Sequence, residues 1–278
     1  MLLVLIKLAI VALILGIGMG ASNADFAYLG RRPALLLRSL LAMYVAVPLA
    51  TFGLVTLLPL SPAVRAAMLV LAVSAGAPLL PRKLAKLGNR AYVVSLVLIS
   101  SLLAIVAVPV WVALFARYYH VETDVTPLAT ALVIAKAFLL PLLAGVALRA
   151  LAPDLCRRFD NYVLGLAGIV LAAAGVALLI LNWPILLHLR WPGVAALLVL
   201  MLIAVAIGHV LGGPRPADRT ALAITCATRH IGIAVVVATR FRGPGTLVLL
   251  LVYIVATVVV SLLYLRWRIP MEGEVGTA

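Results

Sequence analysis

Residues 225–241 read TCATRHIGIAVVVATRF. The stretch is apolar and rich in small side chains, yet Arg229 and His230 stand side by side within it. Arg229 falls roughly midway between Arg219 and Arg240, near the centre of the apolar run. An arginine at membrane depth costs at least a few kcal/mol, so its default reading is functional. The bland alternative is a span that ends early and an arginine that snorkels to the surface. The separation from both flanking arginines argues against it and for a polar cavity around Arg229.

The rest of the chain supports the membrane reading. Its 278 residues are 66% hydrophobic and 11% charged, with a mean hydropathy of +1.27. A soluble domain is about half apolar and a quarter charged. Runs of roughly 20 apolar residues, each long enough to cross a bilayer as a helix, recur throughout. The opening LLVLIKLAIVALILGIGMG is too long for a signal-peptide core and lacks a clear cleavage site, so we read it as a retained first span. The pattern predicts an all-α polytopic membrane protein, a single transmembrane domain over 1–278 with nine spans. These are 2–20, 34–58, 63–80, 91–115, 127–149, 162–182, 192–212, 219–239 and 246–265. The tail RWRIPMEGEVGTA is expected to be mobile.

The net charge of +14 is not a nucleic-acid signal, because the basic residues sit mostly in short loops. Thirteen fall in one alternating set of loops, six in the other, and Arg38, Lys136 and Arg229 within spans. The positive-inside rule puts the richer set in the cytoplasm, with the N-terminus outside and the C-terminus inside. The richness in Leu, Ala, Val and Arg suits a bacterial inner membrane. All eight acids lie in loops or at span ends. Cys156 and Cys226 offer neither a disulfide framework nor metal-ligand spacing. With no mid-span carboxylate, and only Cys226, His209 and His230 as nucleophiles or bases at depth, there is no catalytic set and an enzyme is not expected.

Other residues carry weaker signals. Gly76, Pro78 and Pro81 interrupt the third span. Unwound backbone at that depth is tolerated only where it is buried in protein or lines a cavity, and broken spans mark the binding sites of carriers. The other reading ends the span at Gly76 and gives the prolines to a loop. His230 either binds substrate, carries a proton or hydrogen-bonds a neighbouring helix. Were the segment helical, Arg229 and His230 would point about 100° apart. Cys226 and His230, spaced i, i+4, make a weak metal site without a carboxylate. Lys136, before Pro141, snorkels or meets a helix C-terminus. The pairs Gly16/Gly20 and Gly208/Gly212 have close-packing spacing, and Pro48 and Pro109 are expected to kink their spans.

Together these landmarks resemble the bile acid:sodium symporter family of secondary transporters. ILGIGMGASNADFAYLGRRP looks like that family's Met-Gly helix end followed by Asp-Phe and a basic-Pro loop. Pro48 matches its next helix proline. SAGAPLLPRKLAKLGN sits at its Pro-Gly-Gly-rich crossover, with Gly88-Asn89 after it, and the spacing runs without gaps to Pro109. KAFLLPLLAG also fits, and TCATRHIGIA falls on its second crossover. The resemblance covers nearly the whole chain. It implies an inverted-repeat transporter of a small organic anion that works by alternating access, with spans three and eight as the two broken crossing helices. The family often has ten spans, and this chain looks as though it lacks the first. Panel-like helices would be 2–20, 127–149 and 162–182. Core-like helices would be 34–58, 63–80, 91–115, 192–212, 219–239 and 246–265.

The departures from the family pattern are specific. Aligned on Gly232, the family's sodium-site Glu, Gln and Asn fall on Thr225, Arg229 and His230. Its hydroxyl positions fall on Val93 and Val97, and its crossover Ser-Asn near Pro78 and Leu79. Sodium prefers oxygen ligands, and nearly all are missing. The expected substrate site is therefore Arg229, His230, Thr225, Thr228, Pro78 and Gly76, with Arg229 supplying the positive charge and no metal or cofactor. A sodium-coupled symporter of bile-acid-like anions, with sodium held by backbone carbonyls and the hydroxyls of Thr225 and Thr228, is the alternative. A non-transporting receptor-like or assembly protein is the third reading. The expected partners are an organic anion and the lipid bilayer.

Overall fold

Long apolar runs that cannot expose backbone groups to lipid must satisfy them internally, and helices do so. The structure, a computed structural model, describes residues 2–21, 23–74, 90–119, 126–184, 191–229, 234 and 245–275. Its helices are α1 (Leu2–Gly20), α2 (Asn23–Gly30), α3 (Pro33–Leu57), α4 (Pro62–Val73), α5 (Arg90–Tyr118), α6 (Pro127–Leu151), α7 (Pro153–Leu181), α8 (Trp191–Leu211), α9 (Pro216–Ala227) and α10 (Gly245–Val275). No strand occurs among the described residues. Prolines open α3, α4, α6, α7 and α9, where the missing N–H costs nothing. Among the described residues, six helices are long and apolar enough to cross a membrane, against the nine spans expected: Pro33–Leu57, Ala91–Tyr118, Pro127–Leu151, Pro153–Leu181, Trp191–Leu211 and Val248–Arg268. Val4–Gly20 and Pro62–Val73 are shorter apolar helices.

Several boundaries differ from expectation for physical reasons. The loop after the first span contains α2. α7 starts at Pro153, ahead of the expected 162, because its first turns are polar but helix-compatible. Asp154 favours the helix N-terminus and pairs with Arg157 at 2.7 Å. The tail expected to be mobile is helical to Val275, and Arg268 ties it down by donating to Thr220 Oγ1 and the Pro216 carbonyl. α3 passes Pro48 through a widened turn over Ala42–Ala46, in which the Val47 amide donates to the Ala42 carbonyl. Such wide turns are uncommon and often sit at functional sites. α5 and α6 run continuously through Pro109 and Pro141.

The chain divides into two compact units. One comprises Met1–Phe26 and Ser101–His188. Within it α1 lies against both α6 and α7. A Cβ on Gly145 would stand 2.2 Å from the Leu15 carbonyl oxygen, and one on Gly18 would stand 2.5 Å from that of Leu142. The two backbones thus meet glycine to glycine. The expected Gly16/Gly20 pair does not make this crossing: Gly16 faces the Leu164 side chain, and a Cβ on Gly20 would make only an ordinary contact with Asp160.

The other unit comprises Ala27–Ser100 and Leu189–Ala278. Here Gly208 and Gly212 do bring backbones together. A Cβ on Gly208 would lie 2.6 Å from Ala223 Cα, and one on Gly212 would lie 2.4 Å from Arg219 Cα, so α8 packs flush along α9. Gly213, at φ 84°, reverses the chain between them, a conformation that glycine adopts at little cost. α4 packs against α3 and α10.

Candidate functional site

α4 and α9 share a design. Each has 12 residues and opens with proline, and each is about 18 Å long. That falls short of a hydrocarbon layer of about 30 Å. Each stops at a hydroxyl residue in extended conformation, Ser74 at φ −73°, ψ 105° and Thr228 at φ −79°, ψ 101°. The stop is chemical as well as conformational. Ser74 returns its amide to the Val70 and Leu71 carbonyls, and its hydroxyl donates to Val70 at 2.7 Å. Thr228 donates both amide and hydroxyl to the Ile224 carbonyl. Hydrophobicity does not mark the stop at Ser74, since residues 75–80 remain apolar, and at Thr228 only Arg229 and His230 interrupt an apolar run that resumes at Ile231.

α9 is held from its start to its end. Arg219 donates to the Gly213 carbonyl from Nε and Nη2, closing the turn before the helix. Asp218, 4% exposed, accepts from the Tyr28 hydroxyl at 3.4 Å and stands 4.0 Å from Arg32. Thr220 through Ala227 are all buried. Thr225 points its hydroxyl back to the Ala221 carbonyl at 2.7 Å. At the far end, Tyr253 of α10 donates to the Ala227 carbonyl at 2.7 Å.

Arg229 follows this end. It is 4% exposed, and neither Nη1 nor Nη2 makes a well-formed hydrogen bond among the described residues, although the Tyr253 phenol stands close enough to interact with the guanidinium. Its charge acts on Cys226 of α9, Tyr253 of α10 and Tyr44 in the widened turn of α3. Two features make a buried cation more tolerable here. The C-terminal end of α9 carries partial negative charge, and phenol oxygens stand nearby. A guanidinium presents its donors as a planar fork matched to carboxylate-like groups, so the arrangement suits an anion taken end-on by Nη1 and Nη2.

Of the expected site residues, Thr225, Thr228 and Arg229 fall on one stretch, the last turn of α9 and the two residues beyond it. Gly76, Pro78 and His230 lie outside the described residues. The angular argument that set Arg229 and His230 about 100° apart does not apply, because the helix ends at Ala227. Sequence reasoning missed Tyr253 and Tyr44. Their only sequence signal is a tyrosine inside an apolar span, which also occurs in ordinary cores. Among the described residues no cluster of three or more His, Cys, Asp or Glu could hold a metal ion.

Among the described residues, six helices long and apolar enough to cross a membrane define a polytopic integral membrane protein. The family model for the sodium bile acid symporter family matches residues 7–189. That is well over half of the chain, which therefore belongs to the sodium bile acid symporter family. The match runs from α1 through α7 and stops short of α8, α9 and Arg229. No curated protein matches the chain.

Proposed function

We propose that the protein is a secondary transporter that carries a small organic anion across the membrane by alternating access, with Arg229 in the place of a bound cation. The observation that carries this reading is the Arg229 guanidinium, 4% exposed with two nitrogens that make no well-formed hydrogen bond among the described residues, at the end of a half-length helix. Such a group is costly unless something completes it, and a substrate anion would do so. A sodium ion a few ångströms from this guanidinium would be repelled by several kcal/mol in a low-dielectric site. The transporter is therefore an anion uniporter or exchanger, or a proton-linked carrier that uses His230. The binding set in this reading is Arg229, His230, Thr225, Thr228, Gly76 and Pro78.

Architecture supports the reading. The run α3–α4–α5 and the run α8–α9–α10 each place a 12-residue helix after a long one and before another long one. This parallel favours two repeats, inverted in the nine-span reading, with α4 and α9 as the crossing helices. The grouping of α1, α6 and α7 in one compact unit supports the proposed panel and that of α3, α4, α8, α9 and α10 in the other the proposed core, while α5, expected in the core, is divided between the two at Ser100. Loop charge favours the N-terminus outside, the C-terminus inside and a bacterial inner membrane.

The family name favours a second reading, sodium-coupled uptake of a bile-acid-like anion, with ligands from backbone carbonyls and the Thr225 and Thr228 hydroxyls. Both hydroxyls donate their hydrogens to helix carbonyls, which leaves their lone pairs able to ligate. Reconstituted vesicles separate the two readings. Uptake of a conjugated bile acid and of simpler organic anions is measured with external sodium, then with potassium. We expect equal rates. A sodium requirement would overturn the first reading in favour of the second.

A further inference from the structure

Tyr253 is the feature that the transport reading leaves unused. A helix that ends inside a protein leaves its last carbonyls without intrahelical donors. In α9 the Ile224 carbonyl is satisfied from within, by the amide and hydroxyl of Thr228. The Ala227 carbonyl, two residues before Arg229, is satisfied from a different helix, by the Tyr253 hydroxyl at 2.7 Å. Tyr253 is 1% exposed and Ala227 fully buried, so water does not compete for either group. At the equivalent break in α4, the closing bonds of Ser74 are all local.

We propose that Tyr253 is a positioning residue, a latch from α10 that holds the broken end of α9 and so fixes where Arg229 presents its guanidinium. The inference rests on the reading of Arg229 as the anion-binding cation, and it adds the device that aims it. The phenol suits the task. Its hydrogen goes to the backbone at the break, while its oxygen remains within the field of Arg229. One side chain thus touches both the helix end and the charge. Breaking this single bond frees the end of α9 without unfolding α9, whose start is anchored separately through Arg268, Arg219 and Asp218.

The native chain carries its own reporter. Cys226, fully buried, sits in the last turn of α9 and is one of only two cysteines. In a C156A background, modification of Cys226 by methanethiosulfonates reports opening of this end. An anionic sulfonatoethyl reagent and a cationic trimethylammonium reagent together read the sign of the local charge. The wild-type latch predicts slow modification with a preference for the anionic reagent. Tyr253→Phe should raise the rate about tenfold, the equilibrium equivalent of losing one hydrogen bond of ordinary net strength, and should weaken the preference for the anionic reagent. Tyr264→Phe, on the same helix as Tyr253 and removing a hydroxyl bonded to His209 of α8, should leave both unchanged. Rates for Tyr253→Phe equal to wild type would overturn the latch, as would equal increases in both phenylalanine variants, which would show general loosening. Arg229→Gln tests the underlying reading separately: if the anionic preference survives that change, the cation reading fails whatever Tyr253 does.

Discussion

Replacing Arg229 by glutamine should make the protein more stable and less able to bind its substrate. The guanidinium is 4% exposed with two nitrogens that make no well-formed hydrogen bond among the described residues. Leaving a buried polar group unsatisfied costs about 1–3 kcal/mol, and more if it is charged. Glutamine removes the charge and most of the donors, and ends near the arginine Nε, leaving room that water can fill. The ligand-free protein should therefore gain about 1–3 kcal/mol, a rise of about 2–4 °C in melting temperature per kcal/mol for a chain of this size. The substrate loses two charge-assisted bonds of about 1.5–3 kcal/mol each and recovers one neutral bond of about 1. A net loss of about 3 kcal/mol weakens Kd by roughly two orders of magnitude. Thermal unfolding in detergent gives the first sign. Vesicle uptake of whichever organic anion the wild type carries best gives the second. Opposite signs support the reasoning. A lower melting temperature with unchanged uptake would refute it, because the arginine would then be a structural strut.

Backbone crossings give two further predictions. Gly145→Ala places a Cβ 2.2 Å from the Leu15 carbonyl oxygen and should destabilise by about 1–3 kcal/mol. Gly165→Ala in α7, where a Cβ meets nothing within 4 Å, should be neutral or gain up to about 1 kcal/mol from helix propensity; parallel melting curves decide. Gly208→Ala would push α8 off α9, since its Cβ would lie 2.6 Å from Ala223 Cα. It should lower both melting temperature and uptake, and unchanged uptake would show that α9 tolerates displacement.

How far the sequence could be read depended on whether a signal was local. The expected span 34–58 appears as Pro33–Leu57, and 192–212 as Trp191–Leu211, because an apolar run bounded by proline or charge is a local property. The helical start of α7 escaped because PDLCRRFDN is polar, and hydropathy is blind to a polar turn that is still a good helix. The stop at Ser74 lies two residues before Gly76, where one reading of the sequence ends the third span, whereas the stop at Thr228 inside the expected span 219–239 escaped because it is made by a hydroxyl bonding backward. Arg229 announced itself through the cost of burying a charge. Tyr253 could not, because its partner at Ala227 is 26 positions away and no spacing rule connects them. Glycine spacing found the Gly208/Gly212 face but picked Gly16/Gly20 where Gly18 makes the crossing, since which glycine meets a partner depends on helix rotation.

A cation that is part of the chain differs from one that arrives from solution in what it can power. A co-transported ion brings the free energy of its own gradient, so its carrier can concentrate a substrate. Arg229 crosses no membrane and brings none. Unless a proton is coupled through His230, a carrier of the proposed kind could only equalise, exchange or release. Across a membrane negative inside, a monovalent anion is driven outward by about 2.3 kcal/mol per 100 mV. In a cell, an uncoupled carrier of the proposed kind would be better placed to empty the cytoplasm of an organic acid than to fill it.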